Sequence, residues 1–264
     1  MPLDCVSMRN ILRAVKRIRR ISRLKVNFGV CPVCSAGKRN PVRTAFVEIG
    51  PWLRDDYLCA RCLSIPRERA LMLVLEDVRP TWRELRMHES SPMTRGASKV
   101  LAGQCSNYDS SQFLPEVKSG DVLDGVLCED LEAMSFDSAS LDVLITQDVM
   151  EHILDPGAAL EEMARVLRPG GMHVCTFPWY PWIGPTRTRG RPGADGHVEH
   201  LLPEQHHASP VSGGRALVTT DWGTDLSDRV EEAGLSCEVR HVSQDRSRGM
   251  DGEFLNVFVF SKPL

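Results

Sequence analysis

The chain has 264 residues, 42% hydrophobic and 25% charged, the balance of an ordinary soluble globular protein holding one large domain or a small one beside a medium one. No run of about 18 apolar residues occurs and the N-terminus lacks the apolar core of a secretory signal, so the expectation is a cytoplasmic protein without a transmembrane segment. The net charge of −3 conceals an asymmetry: residues 1 to 25 hold eight basic groups against Asp4, a net of +7, while the remaining 24 basic and 34 acidic side chains give −10.

The basic arm, residues 1–27, reads as a helix over 8–26, because Ile11, Val15 and Ile18 keep a helical period with arginines on the other faces. Its apolar stripe would pack on the body or on a second copy, giving a homo-oligomer. Nucleic-acid phosphates or an anionic membrane surface are the sharper alternatives. Residues 28–66 carry "CPVC" and, 24 residues later, "CARC". Cys31, Cys34, Cys59 and Cys62 thus have the spacing of two zinc knuckles, whose tight turns bring four thiolates onto one tetrahedral Zn2+. A closed four-thiolate set leaves no position for water, so its expected role is structural. Nine cysteines are an odd number, and the two tight pairs argue for metal rather than disulfides, hence a reducing compartment. Cys5, Cys105, Cys128, Cys175 and Cys237 are expected as buried free thiols.

From Pro66, "RERALMLVLEDV" predicts a helix burying Ala70, Leu71, Leu73, Val74 and Val78. Strand signals follow in "ELRMHES", "LDVLITQ", "GMHVCTFP", "CEVRHV" and "FLNVFVFS", with helices at about 93–104, 156–168 and 222–234. This alternation argues for an α/β domain over 67–264, its mostly parallel sheet covered on both faces. Asp155 is placed as an N-cap with Pro156 at the first helical position, and "RPGG" ends that helix. Residues 183–215, rich in Gly, Pro and Arg, hold four of the eight histidines and form a long insertion of the kind that is functional or mobile.

In "ITQDVMEHILDPG" the aliphatic run Leu141 to Ile145 stops at Gln147, Asp148, Glu151 and His152. Ligands of open α/β sheets sit beyond the carboxyl ends of the strands, near the point where strand order reverses, and these polar residues fall there. For Glu151 and His152 the competing reading is that they cap and orient the following loop.

The stretch "CEDLEAMSFDSASLDVLITQDVMEHILDPGAALEEMARVLRPGGMHVCTFP" resembles the class I S-adenosylmethionine-dependent methyltransferases of the type 11 kind over about 50 residues. "CARCLSIPRERA" and "VEHLLPEQHHASP" resemble segments of bacterial members with an N-terminal zinc knuckle, which extends the likeness to 31–264. Ala208 and Ser209 replace that group's Gly-Asn, while His207 matches its histidine. The resemblance implies a Rossmann-like, doubly wound seven-stranded sheet following a small zinc-ribbon module. It implies S-adenosylmethionine as cofactor, with Asp130 at the adenine amino group and Leu131 beside the ring. Gln147 and Asp148 would lie at the methionine and methyl-transfer region. Two features depart from the pattern. The first strand ends in Glu89, but Ser90, Ser91 and Pro92 stand where a Gly-x-Gly loop is expected, leaving only Gly96. The acid that should bind the ribose after the second strand is Asp109, with Ser111 or Gln112 as alternatives.

The expected function is methyl transfer to a small-molecule or saccharide acceptor, with the insertion forming the acceptor pocket. Gln147 would stand at the methyl group, and His207, His206 or His152 would take the acceptor's proton. Trp179, Tyr180 and Trp182 favour a stacked or apolar acceptor, with a place in the core as the equal alternative. One alternative is an RNA methyltransferase using ribbon and arm, disfavoured by the acidic body and by the absence of an Asp-Pro-Pro-Tyr or Asn-Pro-Pro-Tyr motif. The other, supported by the eroded glycine loop, is a non-catalytic interaction protein that keeps the fold.

Overall fold

The computed structural model describes residues 25–193, 197–208 and 214–264. The helix expected over 8–26, and any oligomer or nucleic-acid contact made through it, fall almost entirely outside these residues. Within them, Val26–Val30 (β1), Arg43–Glu48 (β2) and Tyr57–Cys59 (β3) form a three-stranded antiparallel sheet. Single helical turns at Pro32–Ser35 and Leu53–Asp56 connect them.

Pro66–Val78 (α1) follows, opening on a proline and on Glu68, which reaches back to accept from the Ile65 backbone N–H at 3.2 Å. The larger sheet is built from Arg86–Ser90 (β4), Asn107–Gln112 (β5), Val122–Leu123 (β6), Val126–Cys128 (β7), Leu141–Gln147 (β8), Leu167–Thr176 (β9), Ser236–Arg240 (β16) and Val257–Ser261 (β17). Its order is β16-β17-β9-β8-β4-β5-β7-β6, parallel from β9 through β7. This is a Rossmann-like α/β fold whose strand order reverses between β4 and β8. It has eight strands rather than seven. Asp124 and Gly125 both take left-handed backbone (φ 51° and 80°), and such a two-residue turn folds β6 back onto β7 as an added edge.

The helices Gly96–Gln104 (α2), Pro156–Val166 (α3) and Leu226–Glu232 (α4) complete the layers. Val143 and Ile145 face a core shared with Leu71, Leu75, Ala97 and Leu101, whereas Leu144 faces Leu160, Met163, Phe258 and Phe260. A strand segment buried on both sides has no polar face to show, which is why Val143 to Ile145 reads as consecutive aliphatic residues.

The described residues of the insertion form paired strands that its composition does not predict. Arg187–Thr188 (β10) pairs with Thr220–Asp221 (β15), Gly190–Pro192 (β11) with Val198–His200 (β12), and His206–Ala208 (β13) with Arg215–Leu217 (β14). These two-stranded ladders are anchored to the body where Thr219 donates its backbone N–H to the Glu151 carbonyl at 2.8 Å.

The cysteine module is wedged between α1 and the segment around Gly249. Fully buried Arg69 donates to the carbonyls of Gly249 (2.9 Å) and Tyr57 (2.7 Å), and the rings of Phe46 and Tyr57 flank its guanidinium. Gly249 is left-handed (φ +68°), and a Cβ there would meet the Phe46 ring at 2.4 Å, so only glycine permits this close approach.

Candidate functional site

The site lies where β4 and β8 end side by side. Each strand terminates in a non-glycine residue with left-handed backbone, Ser91 (φ 57°) after β4 and Asp148 (φ 55°) after β8. Such conformations cost of order 1 kcal/mol each and cluster where function over-determines the chain. Ser91 thus adopts the conformation that a glycine loop would take freely. Its N–H donates to the Ser111 carbonyl at 2.8 Å, which fixes the turn.

Behind this turn, Glu89 is buried and accepts three hydrogen bonds, from Ser98 Oγ (2.6 Å), Gln147 Nε2 (2.8 Å) and Tyr108 OH (2.9 Å). Burial lifts its carboxyl above the ordinary value, and the three donors oppose that lift. Burial and the neighbouring Glu89 push the Tyr108 phenol up as well. Gln147 thereby bridges the two strand ends, and its Oε1 is buried with no partner among the described residues. Across the sheet, Asp130 follows β7 and accepts the Glu132 N–H at 2.9 Å, and Leu131 beside it is buried.

Three residues expected at the cofactor are committed elsewhere. The Asp148 carboxylate takes Arg54 and Arg67 (Nε at 3.1 Å) on one oxygen and Thr176 Oγ1 (3.4 Å) on the other. Burial would raise this carboxyl, but Arg67 and Arg54 hold it below the ordinary value, with a smaller contribution from His207. Asp109 stands in the middle of β5, not at its end, and is bound by Arg86 (2.6 Å) and His88 (2.7 Å). Gln112 holds the carboxyl end of β5 instead. Gly96 (φ +60°) serves a close approach within the body, since a Cβ there would meet the Glu68 carboxylate at 1.9 Å.

Beside Asp148, a short helical turn at Met150–His152 presents Glu151 and His152 to the insertion. Glu151 is 1% exposed and lies 3.5 Å from His207 Nδ1 and 3.7 Å from His152 Nε2. The two imidazoles meet edge to face at 5.3 Å. The structure therefore brings His152 and His207 together, with Glu151 between them, whereas His206 points to Glu204 at 3.8 Å. Past the end of β9, a cavity of about 320 Å³ is lined by Trp179, Pro181, Trp182, Glu253, Phe254 and Asn256. Tyr180 packs edge to face on Phe254, over which the Arg54 guanidinium also lies.

Sequence reasoning missed Arg54, Arg67, Ser98 and Tyr108. Arg67 stood in the quoted "CARCLSIPRERA", but an ion pair to a residue 81 positions away leaves no local spacing to read.

The four paired cysteines converge as expected. Sγ–Sγ distances are 3.8 Å for Cys31–Cys62 and for Cys34–Cys59, and all four sulfurs lie within 4.8 Å of one another. Zn–S bonds of about 2.3 Å in a tetrahedron require edges of roughly 3.8 Å, so the donor set fits zinc. Backbone N–H groups of Cys34 (3.5 Å) and Arg61 (3.4 Å) point at sulfur, as knuckle turns require. Of the other cysteines, Cys105, Cys128 and Cys175 are buried free thiols and Cys237 is only half-buried; Cys5 is outside the described residues.

The family model for a methyltransferase domain matches residues 93–175, from the loop after β4 through β9. Over 84 residues the chain is 33% identical to the ubiquinone biosynthesis O-methyltransferase of Parvibaculum lavamentivorans, a span of 31% of this chain and 33% of that enzyme. Over 166 residues it is 36% identical to an uncharacterized 37.1 kDa protein in transposon TN4556 of Streptomyces fradiae, covering 58% of this chain and 47% of that one. The chain thus spans a third to a half of the length of these relatives. Among solved structures, an S-adenosylmethionine-dependent methyltransferase from Mesorhizobium loti aligns at a TM-score of 0.49 and 13% identity, over 73% of this chain and 98% of that one. The segment matched by the methyltransferase-domain model lies within the Rossmann-like sheet and spans the reversal of its strand order.

The Asp148 cluster makes a pH-dependent prediction. Replacing Asp148 by Asn leaves two guanidiniums without their buried counter-charge and should cost about 3 kcal/mol at neutral pH. Because the folded carboxyl sits below its unfolded value, that stabilisation is complete above the unfolded titration, near about pH 4, and disappears as pH falls through the folded value. Denaturant unfolding of wild type and Asp148→Asn at pH 7 and about 3.5 should show the gap narrowing. A gap of constant size would remove the ion pair as its cause.

Proposed function

We propose that the chain is an S-adenosylmethionine-dependent methyltransferase acting on a small-molecule or saccharide-type acceptor. The observation that carries this reading is the junction of β4 and β8, where Gln147 is locked onto buried Glu89 beside a strained, serine-lined turn. That junction falls at and beside the segment matched by the methyltransferase domain. A floor held by three hydrogen bonds cannot shift when ligand binds, which is what in-line displacement needs.

In this reading the adenosine lies along the ends of β5 and β7, by Gln112, Asp130 and Leu131, and the methionine end sits over Ser91 and Gln147. The acceptor's lone pair attacks the methyl carbon, the C–S bond breaks with its pair passing to sulfur, and S-adenosylhomocysteine leaves. Glu151, His152 and His207 stand on the acceptor side, where the insertion covers the carboxyl edge. The Trp179–Trp182 cavity gives a flat apolar wall against which a ring or saccharide face would stack. The four cysteines hold one structural Zn2+, which ties β1 to β3 and so sets the loop bearing Arg54.

Three expected outcomes test this. Calorimetry should detect S-adenosylmethionine binding, and Asp130→Ala should weaken it by about 1–3 kcal/mol, the cost of an unpaired buried partner; unchanged affinity would mean the adenosine lies elsewhere. His207→Ala should lower turnover by about 10²–10⁴-fold while cofactor affinity holds, since the residue acts on the acceptor. Wild-type turnover in that variant would remove His207 from the chemistry. Metal analysis should find one zinc per chain, lost or sharply weakened in Cys59→Ser, and a protein pure of zinc would end the structural-metal reading.

A further inference from the structure

Glu151, His152 and His207 are unusual in how their electron pairs are arranged. Glu151 is 1% exposed, yet neither of its carboxylate oxygens has a hydrogen-bond donor among the described residues. A buried carboxylate without a donor is costly, and such groups are rare unless something else neutralises them. Its nearest polar neighbours, His207 Nδ1 at 3.5 Å and His152 Nε2 at 3.7 Å, are beyond hydrogen-bond reach.

The tautomer of His152 sharpens the point. Its Nδ1 lies 2.7 Å from the Leu217 carbonyl, and a carbonyl only accepts, so Nδ1 carries the proton. In the neutral ring Nε2 is then a bare lone pair directed at Glu151. A backbone carbonyl holding the far nitrogen is the usual support of a metal-ligating imidazole. The supports of Glu151 are equally firm: its carbonyl accepts from Thr219 N (2.8 Å) and Thr219 Oγ1 (3.1 Å).

The geometry points to a second metal site: we propose that Glu151, His152 and His207 bind one divalent transition-metal ion, distinct from the one held by the cysteines. The three ligand atoms lie within 4.8 Å of one another, and the two measured edges, 3.5 and 3.7 Å, are close to the roughly 3.4 Å edge of a tetrahedron with bonds of about 2.1 Å. Two imidazoles and one carboxylate suit zinc, iron, cobalt or manganese rather than magnesium or calcium. Three protein ligands also leave a coordination position open, as in metal sites that handle substrate. His207, half-exposed on the insertion, gives that position access to solvent and to the acceptor side.

On the methyl-transfer reading, which this step rests on, the open position takes an acceptor oxygen. Coordination lowers the pKa of that hydroxyl, its proton passes to water, and the oxygen pair forms the new C–O bond as the C–S bond breaks toward sulfur. The metal changes no oxidation state. Thus Glu151 and His152, which the sequence allows as loop-capping residues, become ligands.

The test titrates the full-length chain carrying a single equivalent of zinc, held by the four cysteines, with Co2+, read by calorimetry and by visible absorption. The expected result is one further Co2+ per chain, with ligand-field bands but no thiolate-to-cobalt charge transfer. Glu151→Gln and His207→Ala should each weaken that binding on the order of 100-fold or more, with circular dichroism unchanged. No second ion in the wild-type chain, or an ion bound equally well by both variants, overturns the site. S-adenosylmethionine affinity measured on the same samples separates the two ideas: an ion that binds to a chain with no affinity for the cofactor leaves the metal site standing and removes the methyltransferase reading.

Discussion

The Asp148 carboxylate is the point on which the architecture turns. It ends β8, the central strand at the reversal of the sheet, and it is gripped by Arg54 from the cysteine module and by Arg67 from the start of α1. Three charges from three elements are thereby held away from water. Buried ions are tolerated only when geometry and pairing are good, so none of the three elements can move without leaving a charge uncompensated. Asp55 extends the cluster, lying 3.6 Å from Arg54 and also pairing with Arg67. The cysteine module is therefore part of the wall of the site. Arg54, supported by it, lies over both Trp52 and Phe254, at 5.7 and 5.8 Å, and so joins the module to the aromatic cavity.

This constraint also explains how a chain with an eroded glycine loop keeps the shape of the edge. Where several glycines would supply left-handed backbone at no cost, Ser91 and Asp148 adopt it under restraint, one held by the Ser111 carbonyl and the other by its two arginines. Strain of order 1 kcal/mol per residue is small beside the cost of breaking a buried ion pair. The Glu89 network is the neutral counterpart, a buried carboxyl with three donors fixing Gln147, while Glu151 close by has none. Two buried glutamates near one edge, one saturated and one bare, mark a division between a scaffold group and a group awaiting a partner.

Much of this was legible along the chain. The helical periods after residue 66, the aliphatic run of β8, the Asp155-Pro156 start of α3 and the two Cys-x2-Cys pairs each report a local geometry, and the structure keeps them within a few residues. The convergence of His152 and His207 was expected only as alternatives for one task, not as a cluster. Asp109 and Asp148 are both paired with basic side chains of the protein, which the sequence did not foretell. Asp109 was one of three candidates, with Ser111 and Gln112, because the end of its strand could not be read; β5 runs on to Gln112 and leaves Asp109 within the strand. Asp148 was placed by its position at a strand end, correctly, but position does not say which neighbour claims a carboxylate.

By itself the sequence determined the α/β class, the alternation of its principal strands and helices, the four-sulfur cluster and the polar turn after β8. All follow from periodicity, capping and short-range spacing, whose physics acts within about a dozen residues. Only the tertiary structure decided that the insertion would fold into paired ladders pinned at Glu151, that an added hairpin would close one sheet edge, and that Arg54 would cross 94 positions to reach Asp148. Those outcomes depend on which charges and lone pairs are left unsatisfied once the core has closed, and that account can be drawn up only in three dimensions.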